Sequence, residues 1–373
     1  MPTTSEIYST GDITYTACGG EEVGGVVTDD TTKWTVTNKN GMSIGVTDYG
    51  ATLVSCIALD KEGEKGETLI FFDSLKDYAL KGAGHGATIG RYANRIAQGQ
   101  FVINGTTYQA PVNDWGRPNC LHAGRIPWQH QKWDAEEVED DGVSGVKFSL
   151  VSPDGAEGFP GEVTISVTYS LSDNDDVRIY YEATTDQDTI INVTNHGYWN
   201  LSGDHKRSAR THEFSVNAKE YLPVDENCIP TNITEVEGTP FDLRKLGNVG
   251  ERIDAANGFD NCFVIDKSND PVHVKPSKVS GGSATPSVHV AAVCMDPESG
   301  RKMTVLTSEP GVQVYNYNHA SADDKDAPHT VYWGICFEAE HYPNSCNRTS
   351  WPPTQLNKGD TYKQLTVHRF STK

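Results

Sequence analysis

Apolar and polar residues alternate with a period of two through much of the chain. The alternation is longest over 163–171, and it resumes over 177–183 after a turn at 172–175. Because successive side chains of a strand point to opposite faces, this pattern predicts antiparallel strands with one buried face. Residues 34–47 show a similar hairpin pattern around Asn40 and Gly41. No long helical stripe competes, so the sequence predicts an all-β fold.

The stretch 189–203 combines a strand pattern with polar and aromatic residues. Alternation in its first half predicts a strand that ends at His196, and a period of two sends Asn192, Thr194, His196 and Tyr198 to a single face. Amide, imidazole and aromatic groups of this kind hydrogen-bond sugar hydroxyls and stack on a pyranose ring. A histidine in a β-rich chain also often serves only the structure, so this stretch alone does not assign a site.

A glycine-rich stretch at 84–105 carries two arginines, Arg91 and Arg95, in a mostly acidic chain. It lacks the phosphate-loop pattern of glycines followed by Lys and Ser or Thr. The guanidinium of Arg95 beside the amide of Asn94 suits vicinal hydroxyls or a phosphate, and a surface ion pair is the alternative. His122, in a loop just beyond, is a second candidate histidine.

The predicted strand at 335–340 places apolar residues on one face and Glu338 and Glu340 on the other. A carboxylate on the inner part of a strand is costly unless it is partnered or used, although an exposed edge position is the simpler reading. A metal site formed by these acids and His341 is disfavoured, because alternation puts His341 on the opposite face. Asp260 lies just ahead of another predicted strand.

Charge and cysteine content limit the classes of partner. The chain has 373 residues, with 31 Lys and Arg against 51 Asp and Glu, so its field repels nucleic acid and anionic membranes. We expect neither as a partner. The N-terminus shows no signal-peptide pattern, and the eight cysteines form no C-x-x-C pair. These features predict a cytoplasmic protein.

At 373 residues the chain is long enough for one large all-β domain or two smaller ones. Residues 1–30, rich in Gly, Thr and acids, are expected to form an N-terminal arm or an added edge hairpin. A polar stretch near 266–288 reads as a surface insertion, because strand pattern resumes on both sides of it.

Seven segments, taken together and in order between Trp34 and Phe370, resemble the aldose 1-epimerases, or galactose mutarotases. They are Gly90–Ile96, Leu121–Gly124, Thr194–Leu201, Tyr221–Pro223, Gly258–Asp260, Gln313–Tyr315 and Phe337–Glu338.

The resemblance implies a single domain over 31–373, a large antiparallel β-sandwich with an open sugar-binding cleft on one sheet. It implies that His196 is the general acid and Glu338 the general base. The substrate-binding residues that it implies are Asn94, Arg95, His122, Asp260 and Gln313. The family commonly has glycine where this chain has Ala123, which bears on the loop at His122.

The implied reaction interconverts α and β anomers of free aldohexoses such as glucose and galactose. Opening the ring removes a proton from the C1 hydroxyl and gives one to the ring oxygen, so we expect no cofactor and no metal. A carboxylate ionised at neutral pH suits Glu338 and an imidazolium suits His196. We expect Asp260 or a neighbour to raise the pKa of His196 and keep it protonated.

Three alternatives stay open. A hexose-phosphate mutarotase would line its cleft with basic residues such as Arg91, Arg95 and Arg125. A glycoside hydrolase would need two carboxyls across a glycosidic bond, for which Glu338, Glu340 or Asp260 would serve. A non-catalytic carbohydrate-binding protein would keep the cleft alone. Family members occur as monomers and as homodimers, and no apolar stripe in the sequence decides between these states.

Overall fold

The computed structural model describes residues 3–9, 13–16, 22–27, 30–81, 84–318 and 331–373. The strands in these ranges, in chain order, are β1 (Thr3–Ser9), β2 (Ile13–Thr16), β3 (Glu22–Val27), β4 (Thr31–Thr37), β5 (Ser43–Thr47), β6 (Thr52–Leu59), β7 (Lys65–Leu69), β8 (Thr88–Ile89), β9 (Arg95–Ala97), β10 (Gln100–Ile103), β11 (Thr106–Gln109), β12 (Asn119–Leu121), β13 (Asp134–Asp140), β14 (Val143–Ser152), β15 (Val163–Ser172), β16 (Asp176–Thr185), β17 (Thr189–Ile190), β18 (Thr194–Asn195), β19 (Tyr198–Gly203), β20 (Glu213–Val216), β21 (Ala218–Tyr221), β22 (Thr234–Glu235), β23 (Gly247–Asn248), β24 (Asp260–Ile265), β25 (His289–Met295), β26 (Arg301–Thr307), β27 (Gly311–Tyr315), β28 (Ile335–Glu340), β29 (Gln355–Leu356) and β30 (Thr361–Thr372).

Helix is confined to short pieces in the described ranges. The two α-helices are α1 (Leu75–Lys81) and α2 (Val249–Ala256), and six single 3₁₀ turns lie at Trp128–His130, Ala156–Gly158, Ala209–Thr211, Lys278–Ser280, Gly282–Ala284 and Ser345–Asn347. The Asn248 side chain caps α2 by accepting a hydrogen bond from the Glu251 amide. None of the described helices has the length and apolar character needed to cross a bilayer.

Two large antiparallel sheets dominate the described fold. The first has the strand order β1-β4-β5-β6-β7-β19-β28-β27-β24-β21-β22, and the second has the order β13-β14-β15-β16-β30-β26-β25-β20-β23. The predicted hairpin strands at 163–171 and 177–183 are β15 and β16 of the second sheet, which pair antiparallel as expected. The prediction of an all-β, antiparallel fold is confirmed.

The main core lies where the two sheets contribute apolar side chains to one cluster. Ile44 and Leu53 from the first sheet and Val167 and Ile179 from the second are fully buried there. The same cluster takes Phe337 of β28, whose neighbours in sequence point to the other side of the first sheet. Alternation thus fixes which face of β28 is left for chemistry.

The strand predicted over the first half of 189–203, ending at His196, is interrupted. The stretch contains three short strands, β17 (Thr189–Ile190), β18 (Thr194–Asn195) and β19 (Tyr198–Gly203), and His196 and Gly197 lie between the last two. At this break the Gly86 amide donates to the His196 carbonyl at 2.8 Å, and the His196 amide donates to the Ala87 carbonyl at 3.1 Å. The prediction of one continuous strand is wrong, because a neighbouring loop takes the backbone hydrogen bonds of His196.

The N-terminal arm is described only in part. Strand β1 pairs antiparallel with β4 at the edge of the first sheet, and β2 pairs with β3. The other residues predicted as arm, at 1–2, 10–12, 17–21 and 28–29, lie outside the described residues.

The stretch 266–288 lies over the outer side of the second sheet. Its Val272 and Val274 pack on a cluster that includes Tyr180 and Leu365. The Lys278 amide donates to the Asp140 carboxylate at 2.7 Å. The stretch therefore buries apolar surface of the sheet as well as presenting polar groups.

Candidate active site

Three neighbouring strands of the first sheet place polar side chains on the face away from the main core. In the register of β27 with β28, Gln313 lies directly opposite Glu338, and in that of β24 with β27, Asp260 lies opposite Tyr315. The Gln313 Nε2 donates to Asp260 Oδ1 at 2.8 Å. Adjacent register positions have Cβ atoms about 5 Å apart, so these groups form one continuous polar surface.

His196 joins this surface from the break between β18 and β19. Its Nε2 lies 3.6 Å from Glu338 Oε2, and both side chains are almost fully buried. The imidazole stacks on the Tyr198 ring at a centroid distance of 4.9 Å. The neighbouring Asn195 points to the opposite side, where its amide donates to the Gly86 carbonyl at 2.7 Å. These contacts fix the imidazole beside the carboxyl.

A loop ahead of β9 supplies Asn94 and contacts His122. The Asn94 backbone amide donates to His122 Nδ1 at 3.2 Å, so His122 carries its proton on Nε2. The Asn94 side-chain amide donates to Glu340 Oε1 at 3.0 Å. The His122 and His196 rings meet edge to face with centroids 5.5 Å apart. His122 thus presents a fixed donor next to the catalytic candidate.

Arg95 is held between two carboxylates. Its Nε donates to Asp114 Oδ2 at 2.9 Å, and its Nη1 lies 3.6 Å from Asp260 Oδ2. Asn119 donates to the same Asp114 oxygen at 2.9 Å. The arginine side chain is 9% exposed and that of Asp114 is 0% exposed. The reading of Arg95 as a surface ion-pair partner is wrong.

Sequence reasoning did not identify Asp114. Asp114 lies in the loop between β11 and β12, where apolar and polar residues show no regular alternation. The sequence also does not distinguish a buried acid from an exposed one. The other predicted site residues are connected through contacts: Asn94 to His122, His122 to His196, His196 to Glu338, and Arg95 through Asp260 to Gln313.

Several acceptor atoms at this surface are buried without a hydrogen bond to any described residue. They are Glu338 Oε2, Glu340 Oε2 and Gln313 Oε1. Such groups are costly unless a ligand or water satisfies them, and hydroxyl groups are suitable donors. These oxygens could accept hydrogen bonds from the hydroxyl groups of a ligand.

Comparisons with known proteins identify the family of the chain. The family model of aldose 1-epimerase matches residues 32–369. The chain is 36% identical over 336 residues to a galactose mutarotase of Rattus norvegicus, covering 88% of this chain and 91% of that protein. It is 31% identical over 347 residues to an aldose 1-epimerase of Escherichia coli K12, covering 90% and 94%. The chain belongs to the aldose 1-epimerase family.

Solved structures of the family share the fold. A galactose 1-epimerase from Lactobacillus acidophilus superposes with a TM-score of 0.80 at 27% identity, covering 100% of this chain and 99% of that one. An aldose epimerase homologue from C. elegans gives a TM-score of 0.79 at 26% identity, covering 91% and 98%. The resemblance inferred from seven sequence segments is confirmed.

Protonation in this aldose 1-epimerase differs from the expectation. Burial raises the pKa of Glu338 well above its usual value; the Asp260 carboxylate raises it further and Arg95 opposes this. Burial lowers the pKa of His196 to about 4, and Asp260 opposes that shift only in part. The expected imidazolium and ionised carboxylate are therefore not the favoured forms in the sugar-free site, because desolvation disfavours both charges.

Two groups weighed in the sequence lie outside the site. His341 Nδ1 lies 2.6 Å from Glu309 Oε2, so His341 has a different carboxylate partner from His196. Arg91 is buried and donates to the carbonyls of Pro160 and Gly161 at 2.8 Å each. Arg91 therefore holds loops together, and it does not serve as one of the basic residues that a hexose-phosphate mutarotase would use to bind its phosphate.

Proposed function

We propose that this chain is an aldose 1-epimerase whose substrates are free aldohexoses such as glucose and galactose. The observation that carries the assignment is the pair formed by His196 Nε2 and Glu338 Oε2, 3.6 Å apart on a buried polar surface. The hydroxyl oxygen and the ring oxygen of the anomeric centre are bonded to the same carbon. Two groups this close can therefore serve both oxygens of one sugar.

Ring opening needs one proton removed and one supplied. In the proposed reaction Glu338 takes the proton of the C1 hydroxyl and His196 protonates the ring oxygen. Rotation about the C1–C2 bond then presents the other face of the carbonyl, and the two roles are exchanged for closure. Each positioned donor or acceptor of this kind contributes about 10²- to 10⁴-fold to the rate.

The pair supplies the required proton without changing its total charge. A neutral carboxyl beside a neutral imidazole holds the same number of protons as a carboxylate beside an imidazolium. Burial favours the first form in the free site. Sugar hydroxyls that donate to Glu338 Oε2, and the negative charge of Asp260, favour the second form. Binding of the sugar thus moves the proton to His196, where ring opening uses it.

The remaining site residues hold the ring during rotation of C1. The Arg95 guanidinium and the Asn94 side chain are fixed by carboxylates at 2.9 Å and 3.0 Å. Gln313 is oriented by its hydrogen bond to Asp260 at 2.8 Å, which leaves the carbonyl oxygen of Gln313 for a hydroxyl. His122 offers its Nε2–H. We propose these five residues as the sugar-binding set, in an open cleft on the first sheet.

From the sequence we further propose that the protein is cytoplasmic, that it does not interact with nucleic acid, and that it is a monomer or a homodimer. We also propose that an arm over 1–30 is attached to one domain over 31–373. The acidic balance of 51 Asp and Glu against 31 Lys and Arg supports the second of these.

The test is polarimetry of freshly dissolved α-D-galactose and α-D-glucose with and without the protein. We expect the optical rotation to reach equilibrium much faster than in buffer. No acceleration together with measurable sugar binding would indicate a binding protein instead. Release of reducing ends from an oligosaccharide would indicate a glycoside hydrolase. Faster turnover of hexose 6-phosphates than of free hexoses would indicate the phosphate-specific alternative.

A further inference from the structure

A third chemically distinct side chain lies at the catalytic pair. One ligand atom each of His196, Cys336 and Glu338 lies within 4.8 Å of the other two, and all three residues are buried. The Cys336 Sγ lies 3.7 Å from His196 Nδ1. The proposed proton transfer uses the imidazole and the carboxyl and has no role for the thiol.

The fold places Cys336 there through strand geometry. Cys336 and Glu338 are two residues apart on β28, so their side chains share the face that points away from the main core. On the neighbouring strand Tyr198 pairs with Cys336 in register. His196, two residues before Tyr198, therefore comes within reach of both the thiol and the carboxyl.

The three groups match the ligand preference of zinc. Zn²⁺ binds thiolate, imidazole and carboxylate at about 2.0–2.3 Å in tetrahedral geometry, which separates neighbouring ligand atoms by about 3.3–3.6 Å. One ligand atom from each of the three residues lies within 4.8 Å of the other two. The two shorter approaches use different ring nitrogens of His196, because Nδ1 lies 3.7 Å from the thiol and Nε2 lies 3.6 Å from the carboxylate. A single ion binds one ring nitrogen, so the imidazole or the thiol side chain must rotate to bring one atom of each group onto the ion.

A second observation points to a ligand at the same place. Glu338 Oε2 is buried and makes no hydrogen bond to any described residue. The carboxylates of Glu340 and Asp260 both act electrostatically on this neighbourhood. A dication would satisfy the unpaired oxygen, and its charge would favour the ionised carboxylate that burial otherwise disfavours.

We propose that His196, Cys336 and Glu338 form a Zn²⁺-binding site that inhibits the enzyme. Three protein ligands leave the fourth tetrahedral position to water. The ion occupies the two groups that the reaction needs, so zinc and sugar exclude each other. Binding of the ion stands on the geometry alone, while inhibition rests on the proposed function.

The binding test uses Co²⁺ as a spectroscopic substitute for Zn²⁺ in metal-free protein. Thiolate ligation gives a near-ultraviolet sulfur-to-cobalt charge-transfer band, and tetrahedral geometry gives strong visible bands. We expect both bands at one equivalent, and we expect Zn²⁺ to abolish them. Cys336→Ser should lose the charge-transfer band and weaken Zn²⁺ binding by more than about 100-fold, because even outer-shell partners contribute about 10- to 100-fold.

Cys228→Ser is the matched control. Cys228 is a half-buried thiol in electrostatic range of Arg95, so it is the nearby alternative for adventitious metal binding. We expect this variant to keep the wild-type cobalt spectrum. Loss of the band in Cys228→Ser and its retention in Cys336→Ser would overturn the proposal. So would a wild-type protein that shows no charge-transfer band.

A wild-type competition experiment covers the case in which Cys336→Ser does not fold. Saturating galactose should displace Co²⁺ and remove the bands, and Zn²⁺ should inhibit mutarotation competitively with the sugar. Co²⁺ bands that are insensitive to bound galactose would contradict the shared site. Cobalt–thiolate bands in a protein without mutarotase activity would refute the proposed function and leave the metal site standing.

Discussion

Replacing Asp114 by Asn tests whether a buried carboxylate outside the sugar-contacting set positions Arg95. Asp114 accepts hydrogen bonds from Arg95 and Asn119 at 2.9 Å each and lies 3.6 Å from Arg117. The substitution keeps the shape and one acceptor oxygen but removes the charge. Arg95 is then left with Asp260, at 3.6 Å, as its carboxylate partner.

The expected loss of stability follows from burial. Removing one partner of a buried ion pair costs about 3–5 kcal/mol, because the remaining charge stays desolvated. Because the amide oxygen of Asn can still accept one hydrogen bond, we expect Asp114→Asn to lose about 3 kcal/mol of stability, near the lower end of this range. With a denaturant slope of about 3 kcal/mol/M, the urea midpoint should fall by about 1 M. The reoriented guanidinium should raise KM about tenfold, with a smaller effect on kcat.

Asp254→Asn is the matched control for this experiment. Asp254 pairs with Arg210 at 2.8 Å, but the two side chains are 68% and 34% exposed. An exposed pair is worth at most about 1 kcal/mol. Asp254 lies on helix α2 and Arg210 on the 3₁₀ turn Ala209–Thr211, and neither belongs to the proposed site. Equal losses of stability in the two variants would refute the burial argument. An unchanged KM in folded Asp114→Asn would refute the positioning role.

Two further predictions concern stability. Burial lowers the pKa of His368 to about 3. Between pH 8 and pH 5 this histidine therefore gains a proton in the unfolded chain but not in the folded one, which lowers the free energy of unfolding by about 2 kcal/mol. Urea unfolding at both pH values should show that His368→Phe reduces this acid-induced loss by about 2 kcal/mol, and an unchanged loss would contradict the reasoning. Gly90→Ala would place a Cβ 2.1 Å from Trp128 Cε3, so its free energy of unfolding should fall by about 1–3 kcal/mol; wild-type stability would show that the indole can move away.

The parts of the fold that are visible in the sequence are those with local periodicity. Strands β15 and β16 and the two faces of β28 follow from alternation, because burial of one face imposes a period of two. The break at His196 was not predicted, since it depends on hydrogen bonds to Gly86 and Ala87 from a distant loop. A pattern within one stretch carries no information about such partners.

In the candidate site, too, residue identities could be predicted from the sequence, whereas distances and burial could not. His196 and Glu338 were found through motif resemblance, and their 3.6 Å approach required the fold. Asp114 was missed because its role, to hold the buried guanidinium of Arg95, becomes visible only when the burial of both side chains is known. The preferred protonation of the pair was predicted wrongly, because it depends on desolvation, which residue identity alone does not give.

The most direct test of the account compares mutarotation of α-D-galactose by wild type, Glu338→Gln and His196→Asn, using polarimetry. We expect each variant to lose about 10²- to 10⁴-fold in kcat. His341→Asn, from the histidine–carboxylate pair with Glu309 at 2.6 Å, is the control and should keep the wild-type rate. Wild-type rates in both Glu338→Gln and His196→Asn would contradict the central claim that this pair transfers the protons.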